Sequence, residues 1–493
     1  MAVPAHAPLP DRDSVTTIRA DGSRPFMFPA DTHGRFTRAR RVVAVALIAF
    51  YFLLPWIKIN GYPAVFLDLA ERRFHLFGIT LAAQDLWLLF FLITGLGFSL
   101  FFVTALLGRV WCGWACPQTV LLEHVYRRIE AWIEGDAVAR RALDEAPWTK
   151  GKIARRTFKH AAYLLVSAIF THLFLAYFVS IPEVWSMVRT APAEHWSTFL
   201  FMAAFTGLTY FIFGWFREQV CIVLCPYGRI QAALTDEHTI TVAYDARRGE
   251  PRRKLHPAGA GLSDEALAKS GDCVACNRCV HVCPTGIDIR QGLQLECVGC
   301  TACIDACDDV MVRLHRPRGL IRYDSQNGLQ QKPTRWIRPR TLLYAFLLLA
   351  GAGATGWALS TVKPASFGVT RMVGAPYIID RDFIRNQFLV RLVNKRNTPA
   401  RFVLAVQQAP EHLRQAGFDG AIEVPALGEI ATPLVLQQPR REYGGPFNFT
   451  LRVQDEHDTF HLERKVEFLG PEARLLREEE AEQKAEHERR KEK

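Results

Sequence analysis

Eight of the twelve cysteines lie in one short stretch and have the spacing of iron–sulfur ligands. The stretch contains two runs of the form Cys-x2-Cys-x2-Cys-x3-Cys, whose members are Cys273, Cys276, Cys279 and Cys283, then Cys297, Cys300, Cys303 and Cys307. Three thiolates with this spacing on a tight loop can bind three corners of an iron–sulfur cube, and the fourth ligand must come from elsewhere. The spacing therefore predicts two [4Fe–4S] clusters.

The fourth cysteine of each run is expected to bind the cluster of the other run, as it does where two such runs occur together. This assigns Cys273, Cys276, Cys279 and Cys307 to a cluster 1 site, and Cys283, Cys297, Cys300 and Cys303 to a cluster 2 site. The first run is followed by Pro284, whereas the second is followed by Asp308. Since Pro284 only shapes the chain leaving its loop, the missing second proline does not affect cluster binding. Zinc ribbons and disulfides are the alternatives to iron–sulfur clusters for these eight cysteines. Zinc sites use paired two-cysteine knuckles, and disulfides are disfavoured in a cytoplasmic segment.

The other four cysteines form two copies of one motif, an arginine followed by Cys-x3-Cys-Pro. The copies consist of Arg109, Cys112, Cys116 and Pro117, and of Arg217, Cys221, Cys225 and Pro226. Each helix should end near the second cysteine, and each proline should begin the next segment. The arginine is expected to favour the thiolate, and soft thiolates select Cu(I). The alternative is that these four cysteines act as small apolar residues that pack helix ends. The occurrence of the motif as an internal repeat favours a functional interpretation.

The segments that must position these cysteines are long and apolar. Five of them contain no Asp, Glu, Lys or Arg: residues 42–57, 86–108, 161–182, 196–216 and 341–362. All but the first approach or exceed the roughly 20 residues that a spanning helix needs. The first lengthens if Lys58 snorkels to the membrane surface. Buried core helices of a soluble protein are the alternative, which these lengths disfavour.

Basic residues near the segment ends indicate how the chain crosses the membrane. They cluster before the first segment and between the second and third, whereas residues 183–195 contain Arg189 as their one basic residue. Five spans then place the N-terminus and residues 217–340 in the cytoplasm, and residues after 362 outside. The net charge of +11 is therefore a topology signal. It does not indicate a nucleic-acid partner, because the basic residues flank spans and form no aromatic-interleaved patch.

Three further features bear on the site. Residues 118–134 have near-helical apolar spacing, which predicts an amphipathic helix on the inner membrane surface. His172 lies near the middle of the third apolar segment, either as a functional group or as a hydrogen-bonded packing residue. His281 lies between cluster ligands and is expected to face solvent or to tune a cluster rather than to bind it.

The sequence pattern changes after residue 362 from long apolar segments to short segments separated by turn residues. Short strands separated by turn residues are predicted at 376–380, 387–395, 401–407, 421–424, 433–437, 447–453 and 459–468. About seven strands without a cysteine suggest an immunoglobulin-like sandwich. Since it has no catalytic constellation, we interpret it as a docking module.

These features predict an α-helical integral membrane protein with five spans, an inserted dicluster ferredoxin-like α+β domain and a C-terminal immunoglobulin-like β-sandwich. The predicted domains are a disordered cytoplasmic arm (1–34), a four-span domain with both Cys-x3-Cys-Pro motifs (35–244), a cytoplasmic ferredoxin-like domain with a basic linker (245–340), the fifth span (341–362), the immunoglobulin-like domain (363–470) and a charged tail (471–493).

Together these features resemble the FixG/RdxA/CcoG family of membrane polyferredoxins, accessory proteins of cbb-type cytochrome c oxidase assembly. The resemblance rests on the segment from Gly108 to Thr119, the second Cys-x3-Cys-Pro motif, the dicluster segment and the C-terminal domain. It implies that cytoplasmic clusters pass electrons to copper and reduce Cu(II) to Cu(I), which would make the protein a cupric reductase. The implied copper ligands are Cys112, Cys116, Cys221 and Cys225.

The resemblance also implies a location and partners. The chain would lie in a bacterial inner membrane with its clusters cytoplasmic and its C-terminal domain periplasmic. Its partners would be the lipid bilayer, copper ions bound transiently, a cytoplasmic electron donor, and copper-handling factors, oxidase assembly factors or oxidase subunits; a homodimer is compatible with this. Two other functions stay open: a quinol-linked electron-transfer ferredoxin, and a non-catalytic copper chaperone or assembly scaffold.

Overall fold

The computed structural model describes residues 26–70, 72–82, 85, 87–252, 270–361, 363–396, 398–417, 420–456 and 460–478. They form two compact units. The first takes its described residues from Met1–Phe77 and Leu86–Ala358, and the second from Gly78–Asp85 and Leu359–Lys493.

The helices are α1 (Arg35–Leu53), α2 (Trp87–Leu107), α3 (Val110–Trp114), α4 (Pro117–Leu121), α5 (Arg127–Glu134), α6 (Ala137–Glu145), α7 (Lys150–Leu175), α8 (Ile181–Arg189), α9 (Trp196–Tyr210), α10 (Pro226–Leu234), α11 (Ala246–Gly249), α12 (Arg278–His281), α13 (Ala302–Arg313), α14 (Gln326–Leu329) and α15 (Pro339–Ser360). Wider π-helical turns occupy Leu122–Tyr126, Phe211–Phe216 and Val220–Leu224. Tight 3-10 turns occupy Pro192–His195, Ile289–Gln291 and Arg440–Glu442.

Four helices of the described chain are long and apolar enough to cross a membrane: Trp87–Leu107, Lys150–Leu175, Pro192–Phe216 and Pro339–Ser360. They correspond to four of the five predicted spans. The first predicted span lies in α1, which does not belong to this group. Four arginines occupy the first two turns of α1, so its uncharged part is limited to residues 42–53, well short of about 20 residues.

The predicted amphipathic segment is helical from Pro117 to Glu134, through α4, the turn Leu122–Tyr126 and α5. Its buried apolar residues pack against α7 and the turn Phe211–Phe216 in a cluster made of Leu122, Tyr126, Tyr163 and Phe213. The Tyr126 and Phe213 rings are stacked, with centroids 4.8 Å apart. This packing fixes the helix that follows the first Cys-x3-Cys-Pro motif.

The dicluster segment folds around a short two-stranded antiparallel sheet. β6 (Thr241–Tyr244) pairs with β7 (Ile321–Asp324), with Thr241 opposite Asp324. Two helices, α12 and α13, begin within the cysteine runs. A common core joins the sheet, α13 and the cysteines; its fully buried members include Ile304, Met311, Leu320 and Ile321. The cysteine loops are thus attached to regular structure on both sides.

Residues 26–34 differ from the predicted disordered arm, because they pack on this unit. Phe28 is buried, the Ala30 backbone N–H donates to the His281 carbonyl (2.8 Å), and Asp31 forms an ion pair with Arg128 (2.7 Å). Residues 1–25 of the predicted arm lie outside the described residues.

Four short strands follow α1: β1 (Lys58–Ile59), β2 (Tyr62–Pro63), β3 (Val65–Asp68) and β4 (Arg73–Leu76). They form two antiparallel pairs, β1 with β2 and β3 with β4. The loop between the first two apolar segments is therefore structured, which its mixed composition did not predict.

The second unit contains two antiparallel sheets around one core. Its strands are β5 (Ile79–Ala82), β8 (Ala365–Arg371), β9 (Ile378–Ile379), β10 (Phe383–Asn394), β11 (Ala400–Gln407), β12 (Arg414–Ala416), β13 (Ala421–Val424), β14 (Glu429–Pro439), β15 (Phe447–Asp455) and β16 (His461–Phe468). One sheet has the order β12-β14-β10-β8, with β9 also on β10, and the other β13-β11-β15-β16. Alternating residues of both sheets form the core, including Phe388, Phe402, Phe449 and Phe468.

All seven predicted strand regions contain a strand, and β5, β8 and β12 were missed. Of the predicted charged tail, residues 473–478 are helical, and Leu476 is buried in the core of the unit. The rest of the tail lies outside the described residues.

Candidate iron–sulfur and thiol site

The eight cysteines of the dicluster segment line two neighbouring cavities in two sets of four. A cavity of about 360 Å³ is lined by Cys273, Cys276, Cys279 and Cys307. A second, of about 330 Å³, is lined by Cys283, Cys297, Cys300 and Cys303, and Cys279 also reaches its wall. The fourth cysteine of each run therefore lies with the other run, as the spacing predicts. That these thiols bind clusters stays a prediction.

The two ligand loops share one backbone conformation. Ala275 and Asn277, on either side of Cys276, have φ values of 52° and 56°, and Gly299 and Thr301, on either side of Cys300, have values of 68° and 64°. Asn277 and Thr301 are also the residues that precede α12 and α13. Alternating left-handed residues turn successive backbone N–H groups toward one side, where they can stabilise an anionic group. The repeated conformation fits two similar anionic cofactors.

The electrostatics of the cavities also fit clusters. Burial raises the pKa of Cys297 to about 11 and that of Cys307 to about 12. Backbone N–H donation from Gly299 acts in the opposite direction at Cys297. Four buried thiolates are unfavourable without bound cations, and iron supplies the compensating charge when a cluster assembles. The donor set and the enclosure therefore fit [4Fe–4S] clusters.

Both Cys-x3-Cys-Pro motifs follow a break in the preceding helix. Gly108 and Arg217, each four residues before the first cysteine, have φ values of 55° and 46°. Cys116 and Cys225 then precede α4 and α10, each of which begins with the proline. The predicted chain break at the second cysteine is confirmed. The pairs lie on short separate turns and not on the ends of the long helices.

The four thiols of the two motifs lie close together. Burial is the main cause that raises the pKa of Cys221 to about 12, and the neighbouring Cys116, Cys112 and Cys225 thiols contribute to the shift. Among the described residues, no three His, Cys, Asp or Glu side chains converge tightly enough to hold a single metal ion. The motifs are thus brought together without forming a closed single-ion site.

The prediction that the arginines favour the thiolate holds for the direction of the Arg109 effect, but burial has the larger effect on Cys112. Burial raises the pKa of Cys112 to about 11, although the Arg109 charge opposes the shift. Arg217 points elsewhere and forms an ion pair with Glu130 (3.0 Å). Desolvation outweighs the one arginine that is close enough to act.

The first motif packs directly on the cluster 2 site. A Cβ atom built on Gly113, the residue after Cys112, would lie 2.4 Å from the carbonyl oxygen of Gly299, in the loop between Cys297 and Cys300. The Arg109 guanidinium donates to the Cys297 carbonyl (3.3 Å). Backbone contact this close requires glycine. The loop that carries the first thiol pair therefore touches the loop that carries two predicted cluster ligands.

Comparisons with known proteins agree with this organisation. A 4Fe–4S dicluster domain matches residues 216–326, a 4Fe–4S binding domain matches residues 86–136, and the IG-like fold at the C-terminus of FixG matches residues 355–471. The protein RdxA of Cereibacter sphaeroides is 38% identical over 432 residues, which is 84% of this chain and 89% of that protein. The chain belongs to the FixG/RdxA family. It is a membrane iron–sulfur electron-transfer protein with an immunoglobulin-like C-terminal domain.

Other FixG/RdxA relatives match over shorter spans. The nitrogen fixation protein FixG of Rhizobium meliloti is 42% identical over 64% of this chain and 60% of its own length. The protein RdxB of Cereibacter sphaeroides is 38% identical over 77% of this chain and 81% of its own length. The crystal structure of a FixG-related protein from Vibrio parahaemolyticus matches 22% of this chain at 18% identity, with a TM-score of 0.20.

In this FixG/RdxA chain, a buried glutamine beside the first thiol pair was missed by the sequence interpretation. Gln231 of α10 is fully buried. Its amide nitrogen lies 3.5 Å from the Cys112 sulfur. Its spacing from the cysteines carries no known signature, so it could be found only by folding the chain.

A buried ion-pair network beside the second motif was also missed. Glu130 of α5 is fully buried and contacts three cations, and its partners are Arg140, Lys159 and Arg217. Burial alone would raise the pKa of Glu130, but these charges outweigh it and lower the pKa to about 2. Because Arg217 lies four residues before Cys221, the network fixes the entry to the second motif.

The two histidines take different positions. His172 Nδ1 bonds the Ala168 carbonyl one turn earlier in its own helix (2.7 Å), which fits a hydrogen-bonded packing residue. The His281 side chain is exposed, as its position between ligands led us to expect.

Proposed function

We propose that this protein reduces Cu(II) to Cu(I) for the copper centre of cbb-type cytochrome c oxidase. The observation that carries the proposal is the contact between Gly113 and Gly299. It joins a loop of paired thiols, which suit Cu(I), to a loop of predicted cluster ligands. Copper is the substrate in this proposal.

The proposed cluster ligands follow the two cavities. Cluster 1 is assigned to Cys273, Cys276, Cys279 and Cys307, and cluster 2 to Cys283, Cys297, Cys300 and Cys303. Bound clusters supply one-electron transfer, which matches the one electron that Cu(II) requires. The electron is supplied by a cytoplasmic donor. The arrangement makes cluster 2 the site next to the thiols.

The four thiols favour the reduced metal. Cu(II) prefers nitrogen and oxygen in tetragonal geometry, whereas Cu(I) accepts few thiolates, so Cys112, Cys116, Cys221 and Cys225 stabilise the product. Burial raises the pKa of Cys112 to about 11 and that of Cys221 to about 12, so these two free thiols are protonated at neutral pH. Copper binding therefore releases protons from them. Cu(I) binding at these thiols is therefore expected to strengthen as the pH rises.

The proposed arrangement in the membrane has five spans, with the ferredoxin-like domain cytoplasmic and the immunoglobulin-like domain periplasmic in a bacterial inner membrane. The distribution of basic residues supports it. Local thinning of the bilayer, snorkelling of flanking basic residues or association with neighbouring spans would allow the short apolar part of α1 to cross. The immunoglobulin-like domain is then available to oxidase subunits or assembly factors, and to a second copy of the chain.

The test is reoxidation of the dithionite-reduced, anaerobically purified protein by Cu(II), followed by electron paramagnetic resonance and a Cu(I)-specific chelator. The unaltered protein should return one Cu(I) for each electron lost. The Cys221→Ser/Cys225→Ser variant should retain its iron and sulfide but lose this activity. Unchanged copper reduction in that variant would remove the thiol site. If Cys276→Ser and Cys300→Ser chains still support oxidase assembly, the protein is a copper chaperone or scaffold instead.

A quinol-linked function is the second candidate, and one cavity favours it. A mostly apolar, open pocket beside the end of α2 is lined by residues that include Leu107, Leu293, Leu295 and Cys297. Such a cavity beside a predicted cluster ligand suits an apolar electron donor. Reduction of the clusters by added quinol, without dithionite, would support this candidate, and no reduction would exclude it.

A further inference from the structure

The N-terminus of α1 is attached to the helix that carries two predicted cluster ligands. The backbone N–H groups of Phe36 and Thr37 donate to the Asp305 carboxylate, at 3.3 and 2.6 Å. Asp305 is buried in α13, between Cys303 and Cys307. A carboxylate here satisfies free N–H groups and complements the helix dipole. This contact determines where the next turn of α1 lies relative to the cluster sites.

That next turn carries Arg40, whose charge has no carboxylate partner in the described part of the chain. The side chain is 7% exposed. Its Nε atom donates to the Gly113 carbonyl (2.9 Å), in the first thiol motif. Its Nη2 atom is buried without a hydrogen-bond acceptor among the described residues. A buried cation without a counter-charge is strongly unfavourable.

Neighbouring buried arginines are paired. Arg127 forms ion pairs with Glu123 and Glu218, and Arg140 forms one with Glu130. Arg40 is therefore the exception among these arginines, since no carboxylate of the described residues forms an ion pair with it, although Asp31 and Glu123 line the same pocket.

The cluster 2 site is close enough to supply a counter-charge for Arg40. Arg40 and Cys300 line the same open pocket. Thiolate-bound clusters are anionic, and their reduction potentials depend on local charge and exposure.

We propose that Arg40 is a positioning residue that provides the buried positive charge for the cluster 2 site and ties the first thiol motif to it. This inference rests on the proposed function. A fixed cation favours the more negative, reduced state, so Arg40 raises the reduction potential at the cluster 2 site. Through Gly113, the same side chain holds the Cys112 loop beside that site.

The experiment is a redox titration of the full-length protein in detergent, monitored by electron paramagnetic resonance. Arg40→Gln should lower the reduction equilibrium constant of one cluster about tenfold, which is about 59 mV for a one-electron couple. The other cluster should not change. Repeating the titration in a Cys276→Ser background, where cluster 1 is impaired, should show the same shift and assign it to cluster 2.

Two variants serve as controls. Arg40→Lys keeps the positive charge, so the reduction potential of cluster 2 should stay close to that of the unaltered protein. It loses the planar guanidinium that donates to Gly113. Arg38→Gln removes an exposed charge from the same helix and should leave both potentials unchanged. Iron and acid-labile sulfide contents establish that each variant is loaded.

Unchanged potentials in a fully loaded Arg40→Gln protein would overturn the inference and leave the proposed function intact. If Arg40→Gln does not retain iron, Arg40→Lys decides. If the reduction potential of Arg40→Lys is close to that of the unaltered protein, the charge role is supported. If its reduction equilibrium constant falls tenfold, the charge role is overturned. If the unaltered, cluster-loaded protein does not reduce Cu(II), the proposed function is overturned instead.

Discussion

The two Cys-x3-Cys-Pro motifs have the same local geometry but different supports. Both follow a left-handed residue, and in both the second cysteine precedes a helix that begins with proline. The first motif packs on the loop of the cluster 2 site through Gly113. The second is held by Arg217 in an ion-pair network around Glu130. A duplicated motif can thus supply four equivalent thiols while its copies have separate structural roles.

The residue after the first cysteine shows this difference most clearly. It is Gly113 in the first motif and Ile222 in the second. A side chain at 113 would collide with the Gly299 carbonyl, whereas Ile222 is accommodated with its side chain half-buried. We therefore expect changes at the two motifs to have different consequences, and the following predictions are ordered by expected size.

The largest effect is expected when the support of the second motif is removed. Glu130→Gln leaves three cations without their shared carboxylate, which should lower the free energy of unfolding by about 3–5 kcal/mol. Thermal or denaturant unfolding in detergent measures it. Glu123→Gln is the control, because Arg127 keeps Glu218 as a partner, and its cost should be clearly smaller. Equal costs would mean that the network does not act as a unit.

The next effect is expected when the contact of the first motif is broken. Gly113→Ile should displace the motif from the Gly299 loop and slow copper-dependent reoxidation roughly tenfold to a hundredfold, the cost of misplacing reacting groups by about 1 Å. Iron content should not change. The reciprocal Ile222→Gly variant should alter the rate by less than about threefold, since only local packing and backbone entropy change. Stopped-flow absorbance of the clusters measures both, and similar rates in the two variants would contradict the assignment of the contact to the first motif.

The sequence predicted the local geometry of the site better than the contacts that support it. The crossed grouping of the eight cysteines and the chain break before Pro117 and Pro226 follow from short-range spacing and backbone sterics. The approach of Gly113 to Gly299 joins residues far apart in sequence, so no local pattern contains it. The Glu130 network and Gln231 were missed for the same reason.

Charge and length also misled the sequence interpretation in two places. Arg109 and Arg217 were expected to favour the thiolate form of nearby cysteines; Arg109 acts in this direction but burial outweighs it, and Arg217 pairs with Glu130 instead. In α1 the arginines were taken as a flank of the first span, whereas Arg40 is a buried residue of the cluster 2 surroundings. A sequence shows which residues carry charge, but burial and partners become visible only in the folded chain.

A smaller effect is expected from pH. Glu130 has a folded-state pKa of about 2, below its ordinary value of 4.5, so its stabilising contribution is complete above the ordinary value and is lost as the pH falls from about 4.5 toward 2. The difference in unfolding free energy between the unaltered protein and Glu130→Gln should shrink over this range. A constant difference down to pH 3 would contradict the ion-pair account.

The smallest effect is expected at Gln231. Gln231→Leu removes a neutral hydrogen-bond partner of Cys112, a loss of about 0.5–1.5 kcal/mol, so Cu(I) binding should weaken roughly twofold to tenfold. A competition titration with a chromophoric Cu(I) chelator measures it. Gln118→Leu is the control, because the Gln118 side chain donates to the Arg217 carbonyl and not to a thiol. An equal loss in both would indicate a general packing effect.

The attachment of α1 to Asp305 has a consequence for biogenesis. The ribosome produces residues 26–40 early, yet two of their docking partners, His281 and Asp305, emerge more than 200 residues later. The contacts of residues 26–40 with His281 and Asp305 can therefore form only after this part of the ferredoxin-like domain has been synthesised. Access of a protease to this segment would report maturation, since the segment becomes protected only when the domain has closed over it.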